Sequence, residues 1–175
     1  MKIAIIGYSG SGKSTLASEL SSIYKIPLLH MDKISFYANW VEKEDDKRKE
    51  GFKEFINQNP DNWVIDGNYT HIYHKERMEE ADLIIFMNFN RFTCYFSALK
   101  RAIKYRNKHR ESAPENCREK FSLDFQWWIL HDGRTKHRKK RYYKVIHQYP
   151  NKVMILKNRK EVNRYLKLLR ESICD

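Results

Sequence analysis

The stretch that most constrains this chain is Gly7-Tyr8-Ser9-Gly10-Ser11-Gly12-Lys13-Ser14-Thr15. Ahead of it runs Ile3-Ala4-Ile5-Ile6, apolar without alternation, as in a parallel strand covered on both faces. Behind it, Ser14 to Leu20 is compatible with a helix. Strand, glycine-rich loop and helix fit the pattern G-x-x-x-x-G-K-[ST], with Gly7, Gly12, Lys13 and Ser14 at the required positions. Glycines let backbone N–H groups curl around phosphate oxygens, and the following helix adds the positive end of its dipole. Lys13 then reaches the β- and γ-phosphates, and the Ser14 hydroxyl ligates Mg²⁺. The expected nucleotide-binding residues are Gly7, Ser9, Gly10, Ser11, Gly12, Lys13, Ser14 and Thr15, with ATP (or GTP) and Mg²⁺ as cofactors.

Four more apolar runs read as strands: 26–32, 63–66, 82–87 and 152–156. Helical stretches separate them, about 42–59, 70–80, 92–107 and 122–131, then a helix holding Tyr142 to Ile146, and 161–172 closes the chain. The expected architecture is α/β, a three-layer fold around a five-stranded parallel sheet, formed by a single domain over 1–175. Ligands of such sheets bind at the carboxyl ends of the strands. Asp32 and Asp66 fall at such ends. Asp66 is a candidate Mg²⁺ and substrate residue, and Asp32 a candidate to accept the proton of a substrate hydroxyl. Asn68, Trp40 in the aromatic loop 35–40, and Arg77 are further substrate candidates, with a surface ion pair open as the other reading of Arg77. Asn158 and Arg159, after the last strand, are candidates to hold the base. In the helix over 92–107, Phe96, Leu99 and Ile103 are expected to face inward.

The net charge of +12 is uneven: residues 99–141 hold 14 Lys/Arg against 5 Asp/Glu. Such a field attracts polyphosphates of every kind, nucleotides and nucleic acid alike. Segment 108–120 loses the hydrophobic pattern and contains Pro114, so a mobile lid is expected within about 106–122. Arg101, Arg106 and Arg110 are its candidate catalytic arginines. The run Arg134 to Arg141 reads as a nucleic-acid patch, a phosphate-gripping face or a solvated helix start. Cys94, Cys117 and Cys174 are too scattered for a disulfide framework or a zinc site and are expected as reduced thiols. No stretch has the ~20 apolar residues of a membrane span. A cytoplasmic location and no membrane partner are the expectation.

Taken together, the chain resembles the adenylate-kinase-related topology-modulation (FlaR-like) proteins. The resemblance rests on the loop from Gly7 to Thr15, His30-x-Asp32, Trp63 to Tyr69, Ala81 to Phe86, Cys94, Lys100-Arg101 and Cys117-x-Glu119. It implies an adenylate-kinase-like strand order 2-3-1-4-5, ATP or GTP binding, a helical lid insertion, and a name tied to DNA topology. Where adenylate kinase itself has Pro-Arg after the Asp-Gly turn, this chain has Asn68-Tyr69. Two functions follow as expectations. One is a phosphotransferase moving the γ-phosphoryl of ATP, with Mg²⁺, to a small-molecule or nucleotide acceptor. The other is an ATP-binding, DNA-associated regulatory protein that uses 134–141.

Overall fold

The structure is a computed structural model that describes residues 1–106, 108, 110–119 and 121–174. Strand β1 (Lys2–Gly7) is central. It pairs in parallel with β3 (Trp63–Asp66) on one side and β4 (Leu83–Met87) on the other. β2 (Leu28–His30) extends the sheet beyond β3, and β5 (Val153–Leu156) extends it beyond β4. The order is therefore 2-3-1-4-5. Ile3, Ala4, Ile5 and Ile6 point alternately to opposite faces yet are all at most 1% exposed, so both faces of β1 are covered. Because β3 and β4 lie on opposite sides of β1, the chain reverses direction of travel at its carboxyl end. That is where an open α/β sheet forms a crevice.

The helices are α1 (Lys13–Tyr24), α2 (Met31–Ser35), α3 (Asp45–Gln58), α4 (His74–Glu80), α5 (Arg91–Lys104), α6 (Leu123–Leu130), α7 (Lys136–Gln148) and α8 (Arg159–Cys174). Three boundaries differ from expectation. The second strand stops at His30, and Asp32 sits in the first turn of the five-residue α2. Residues 70–73 are not helical; Ile72 N–H donates to Tyr69 O and a turn leads into α4. The 92–107 helix runs from Arg91 to Lys104, and Asn107, its expected end, lies outside the described residues, as do His109 and Lys120 of the expected lid. In α8, Val162 and Leu166 are buried and Tyr165 and Leu169 pack beside them, as the 3.6-residue period requires.

Helix α5 faces the other way from its expected orientation. Phe96 and Ile103 are 56% and 69% exposed, while Cys94 and Ala98 are buried. The reason is the close approach of α5 to the glycine-rich loop. Gly10 has φ +80°, and a Cβ there would strike the Cys94 carbonyl oxygen. Only the helix face with small side chains fits so near a backbone, so the larger apolar residues stand outside. Cys94 and Cys117 are free, buried thiols; the side chain of Cys174 lies outside the described residues. Among the described residues no helix is long and apolar enough to cross a membrane.

The substitution Gly10→Ala places a Cβ against α5 at a backbone angle that disfavours it, a combined cost on the order of 2–4 kcal/mol. The thermal midpoint should fall by roughly 5–15 °C in a domain of this size. An unchanged melting curve would show that loop and helix do not meet as described.

Candidate functional site

The loop between β1 and α1 forms the floor of a cleft of about 1160 Å³. Helix α1 starts at Lys13 with Gly12 as its N-cap, no side-chain capping bond and no acidic residue in its first turn. Its leading N–H groups therefore lack any side-chain carboxylate or hydroxyl and suit an external anion. Gly10, Gly12, Lys13, Ser14, Thr15 and Ser9 line the cleft, whereas Gly7 lies beneath it and Ser11 is fully buried, its N–H closing a turn onto Tyr8 O. The Lys13 ammonium donates to Tyr8 O at 3.2 Å. Burial pushes its pKa down from 10.5, with Asp66 and then Asp32 acting in the opposite sense.

Asn68 fixes this loop. Its Oδ1 accepts from Gly7 N–H at 2.9 Å and its Nδ2 donates to Gly7 O at 2.7 Å. The same Nδ2 lies 2.9 Å from the Tyr142 hydroxyl on α7, and Tyr142 stacks on Phe86 with centroids 4.6 Å apart. Asn68, a substrate candidate, lines the cleft, and both ends of its amide are engaged by the protein, so it also positions the loop. Arg77 departs from expectation. Its guanidinium is 2% exposed and donates to the carbonyls of Gly67, Tyr69 and Ile72, at 3.1, 2.8 and 3.2 Å. Those three bonds set the turn after β3 and leave Arg77 outside the cleft, so it meets neither a substrate nor a surface partner. Burial brings its pKa down to about 10.

Two carboxylates lie beyond Lys13. Asp66 ends β3, is buried, and holds the His30 Nδ1 at 2.8 Å across the β2–β3 pairing. Asp32 accepts from the Tyr69 hydroxyl at 2.6 Å through Oδ1. Burial raises its pKa from the ordinary 3.8, against the lowering effect of the Tyr69 bond. The partners His30 and Tyr69 were not expected as site residues. His30 lies at a strand end, which is a signal, but nothing in the spacing shows that it meets Asp66. Ser14 and the buried Asp66 supply a hydroxyl and a carboxylate on one side of the cleft. That donor set fits Mg²⁺, which is commonly held by one or two carboxylates together with substrate phosphates.

The far wall is built from the insertion. Glu119, with its side chain 4% exposed, accepts from Arg101 Nε at 3.0 Å and Arg110 Nε at 2.6 Å. Arg110 also donates to Ser112 Oγ. The insertion is sewn to the aromatic loop: Trp40 Nε1 donates to Arg118 O at 2.7 Å, Trp40 N–H to Cys117 Sγ at 3.3 Å, and Asn39 N–H to Asn116 O at 3.3 Å. Trp40 lines the cleft and packs edge-on against Phe36. Arg106 is exposed and does not line the cleft, because the helix carrying it has ended at Lys104 and the chain turns away.

The basic run 134–141 is divided between the cleft and solvent. Arg134, Arg138 and Arg141 line the cleft. The Arg134 guanidinium sits 3.7 Å from the Tyr8 ring centre and donates to Phe89 O at 2.9 Å; that of Arg138 covers the Trp128 ring at 4.2 Å. Lys136, His137 and Lys140 are exposed. At the other end, Arg159 rests over Gly12, whose Cβ would come within 2.5 Å of Nη1. Asn158 caps α8 instead of reaching the cleft: its Oδ1 accepts from Glu161 N–H at 3.0 Å and its Nδ2 donates to Glu161 Oε1 at 2.7 Å.

No protein-family model matches the chain, and no curated protein matches it. Among solved structures, a gluconokinase from Sinorhizobium meliloti 1021 is similar at 15% sequence identity and a TM-score of 0.47, over 98% of this chain and 94% of its own. The α/β fold is shown by the five-stranded parallel sheet of order 2-3-1-4-5 and the glycine-rich loop leading into α1.

The raised pKa of Asp32 has a consequence for stability. Above pH 3.8 the folded state binds more protons at this group than the unfolded chain does, so stability falls as pH rises from there through the folded pKa. Asp32→Asn keeps an oxygen for Tyr69 and removes that penalty. The variant should show a higher urea midpoint than wild type at pH 8, with the gap closing as the pH is lowered. A lower midpoint at pH 8 would contradict the desolvation account.

Proposed function

We propose that the protein transfers the γ-phosphoryl group of a nucleoside triphosphate, ATP or GTP, to a hydroxyl of a small acceptor. One observation carries this reading: the phosphate-binding loop and Asp32 open into the same cleft, which continues past Lys13 to a second wall formed by residues 36–40 and 110–119. At about 1160 Å³ the cleft exceeds the ~300–1,000 Å³ usual for one ligand. The loop holds the donor phosphates, with Lys13 drawn from Tyr8 O toward the γ-phosphate. Arg134, Arg138 and Arg141 face the donor half, and Arg159 over Gly12 is placed for the nucleoside side.

Asp32 orients the acceptor. With Oδ1 engaged by Tyr69, Oδ2 is left to accept a hydrogen bond from the acceptor hydroxyl. As the acceptor oxygen bonds to the γ-phosphorus and the bond to the bridging oxygen breaks, Asp32 takes the hydroxyl proton. Ser14 and Asp66 would hold Mg²⁺, which neutralises charge on the β- and γ-phosphates when bound. Arg101 on α5 and Arg110 in the insertion both line the cleft and are the arginines available to the transferred group on that wall. Of the expected lid, Arg110, Glu111, Ser112 and Glu119 border the acceptor half.

The likeness to topology-modulation proteins supports this reading in one respect. His30 meets Asp66, Arg101 meets Glu119, and Asp32 meets Tyr69, so the residues that carry the likeness pair with one another around the cleft. A nucleic-acid role for 134–141 has less support, since three of its arginines turn into the cleft.

Release of ADP should be slow with ATP and Mg²⁺ alone and rise when a competent hydroxylated acceptor is added. Lys13→Ala should lower that acceptor-dependent rate by about 100-fold or more. ATP binding without stimulation by any member of a broad acceptor panel would count against the reading.

A further inference from the structure

The acceptor half of the cleft is cationic in a way that a neutral molecule would not use. We propose that the acceptor carries an anionic group, a carboxylate or a phosphate, bound by Arg110 and Arg101 while its hydroxyl meets Asp32. This rests on the phosphotransfer reading for the hydroxyl, and on separate residues for the anion. Two distinct elements bring positive charge to the cleft. The turn before α7 supplies Arg134, and α7 supplies Arg138 and Arg141, on the donor side. Helix α5 and the insertion supply Lys100, Arg101, Lys104 and Arg110 to the opposite wall, against the carboxylates of Glu111 and Glu119. The donor phosphates already have the loop N–H groups, Lys13 and the α7 arginines. The second set is left for a second anion.

The hydrogen bonding in that wall says the same. Glu119 sits between Arg101 and Arg110, and it can balance only one of the two charges. Glu119 is buried while Arg101 and Arg110 stay partly open to the cleft, so an anion entering the cleft can reach their guanidinium edges. Arg101 spends only Nε on Glu119, and Arg110 spends Nε and Nη1 on Glu119 and Ser112. Among the described residues no hydrogen bond takes the Arg101 Nη1 and Nη2 or the Arg110 Nη2. Such guanidinium edges match the planar oxygens of carboxylate and phosphate. Asp32, Arg101 and Arg110 line the same cleft, so one small molecule has both the anion subsite and the proposed base before it.

The test uses matched three-, five- and six-carbon polyols, the corresponding terminal carboxylates and the corresponding phosphate monoesters. Binding is measured by calorimetry on the protein loaded with Mg²⁺ and a non-hydrolysable ATP analogue, and ADP release is followed in parallel with ATP. At least one anionic series should bind and stimulate ADP release about tenfold or more above its neutral partner. Which series does so separates carboxylate from phosphate. Arg110→Gln should abolish the preference, Arg110→Lys should keep part of it, and ATP affinity should change in neither. The wild-type comparison stands even if a variant fails to fold. Neutral polyols working as well as the anions would overturn the anion subsite and leave the phosphotransfer reading intact. Anion binding lost in Arg110→Gln but without ADP release would support the subsite and overturn phosphotransfer. No binding by any anionic member would overturn the proposal.

Discussion

Asn68 closing both hydrogen bonds on the backbone of Gly7 is the contact on which the rest of the cleft depends. A glycine-rich loop has little intrinsic preference for one shape, and a phosphate cradle works only when its N–H groups already converge. The amide of Asn68 fixes the loop where it leaves β1, at 2.9 and 2.7 Å. Its Nδ2 then reaches Tyr142 on α7, the helix that carries Arg138 and Arg141 and follows the turn that holds Arg134. One side chain thereby relates the end of β1, the turn after β3 and the arginine-bearing helix. Arg77, buried beneath that turn with three carbonyls around its guanidinium, keeps Asn68 in place from the other side.

From this constraint the cleft divides into two halves. The proposed donor half is backbone, Lys13 and arginine. The proposed acceptor half is Asp32 with Tyr69, the aromatic loop, and the insertion held by Glu119. Polar groups in the second half are arranged in pairs, each reaching across elements: α2 to the β3 turn, α5 to the insertion, the insertion to residues 37–40. Cross-element pairing of this sort holds a cavity open against the hydrophobic drive to fill it, and burial raises the cost of leaving any one member unpaired.

The sequence made the strands, the glycine-rich loop and the positions of Asp32 and Asp66 in the cleft legible, because they depend on local pattern; the strand order came from the family resemblance. Continuous apolar runs mark buried parallel strands, and G-x-x-x-x-G-K-S specifies both its own geometry and its neighbours. What was not legible depends on pairing between distant segments. Arg77 in a charged helix looks like a surface or anion-binding residue until the carbonyls around it are known. Asn158 and Glu161 have the spacing of a helix cap, a local signal that a nucleotide role at the strand end obscured. The α5 stripe of Phe96 and Ile103 has the right period for a core face, yet Gly10 admits only the small-residue face of that helix. In the run 134–141, Arg138 and Arg141 share one face of α7 by their spacing, whereas Arg134 reaches the cleft from the turn before the helix, which the spacing does not show.

The most direct test of the two-ligand cleft is a crystal structure with Mg²⁺ and a non-hydrolysable ATP analogue. The cleft described here predicts the triphosphate in the loop, Lys13 moved from Tyr8 O to the γ-phosphate, and that phosphate facing the space between Asp32 and Arg110. A nucleotide seated away from the loop, or a γ-phosphate turned from Asp32 toward solvent, would contradict it.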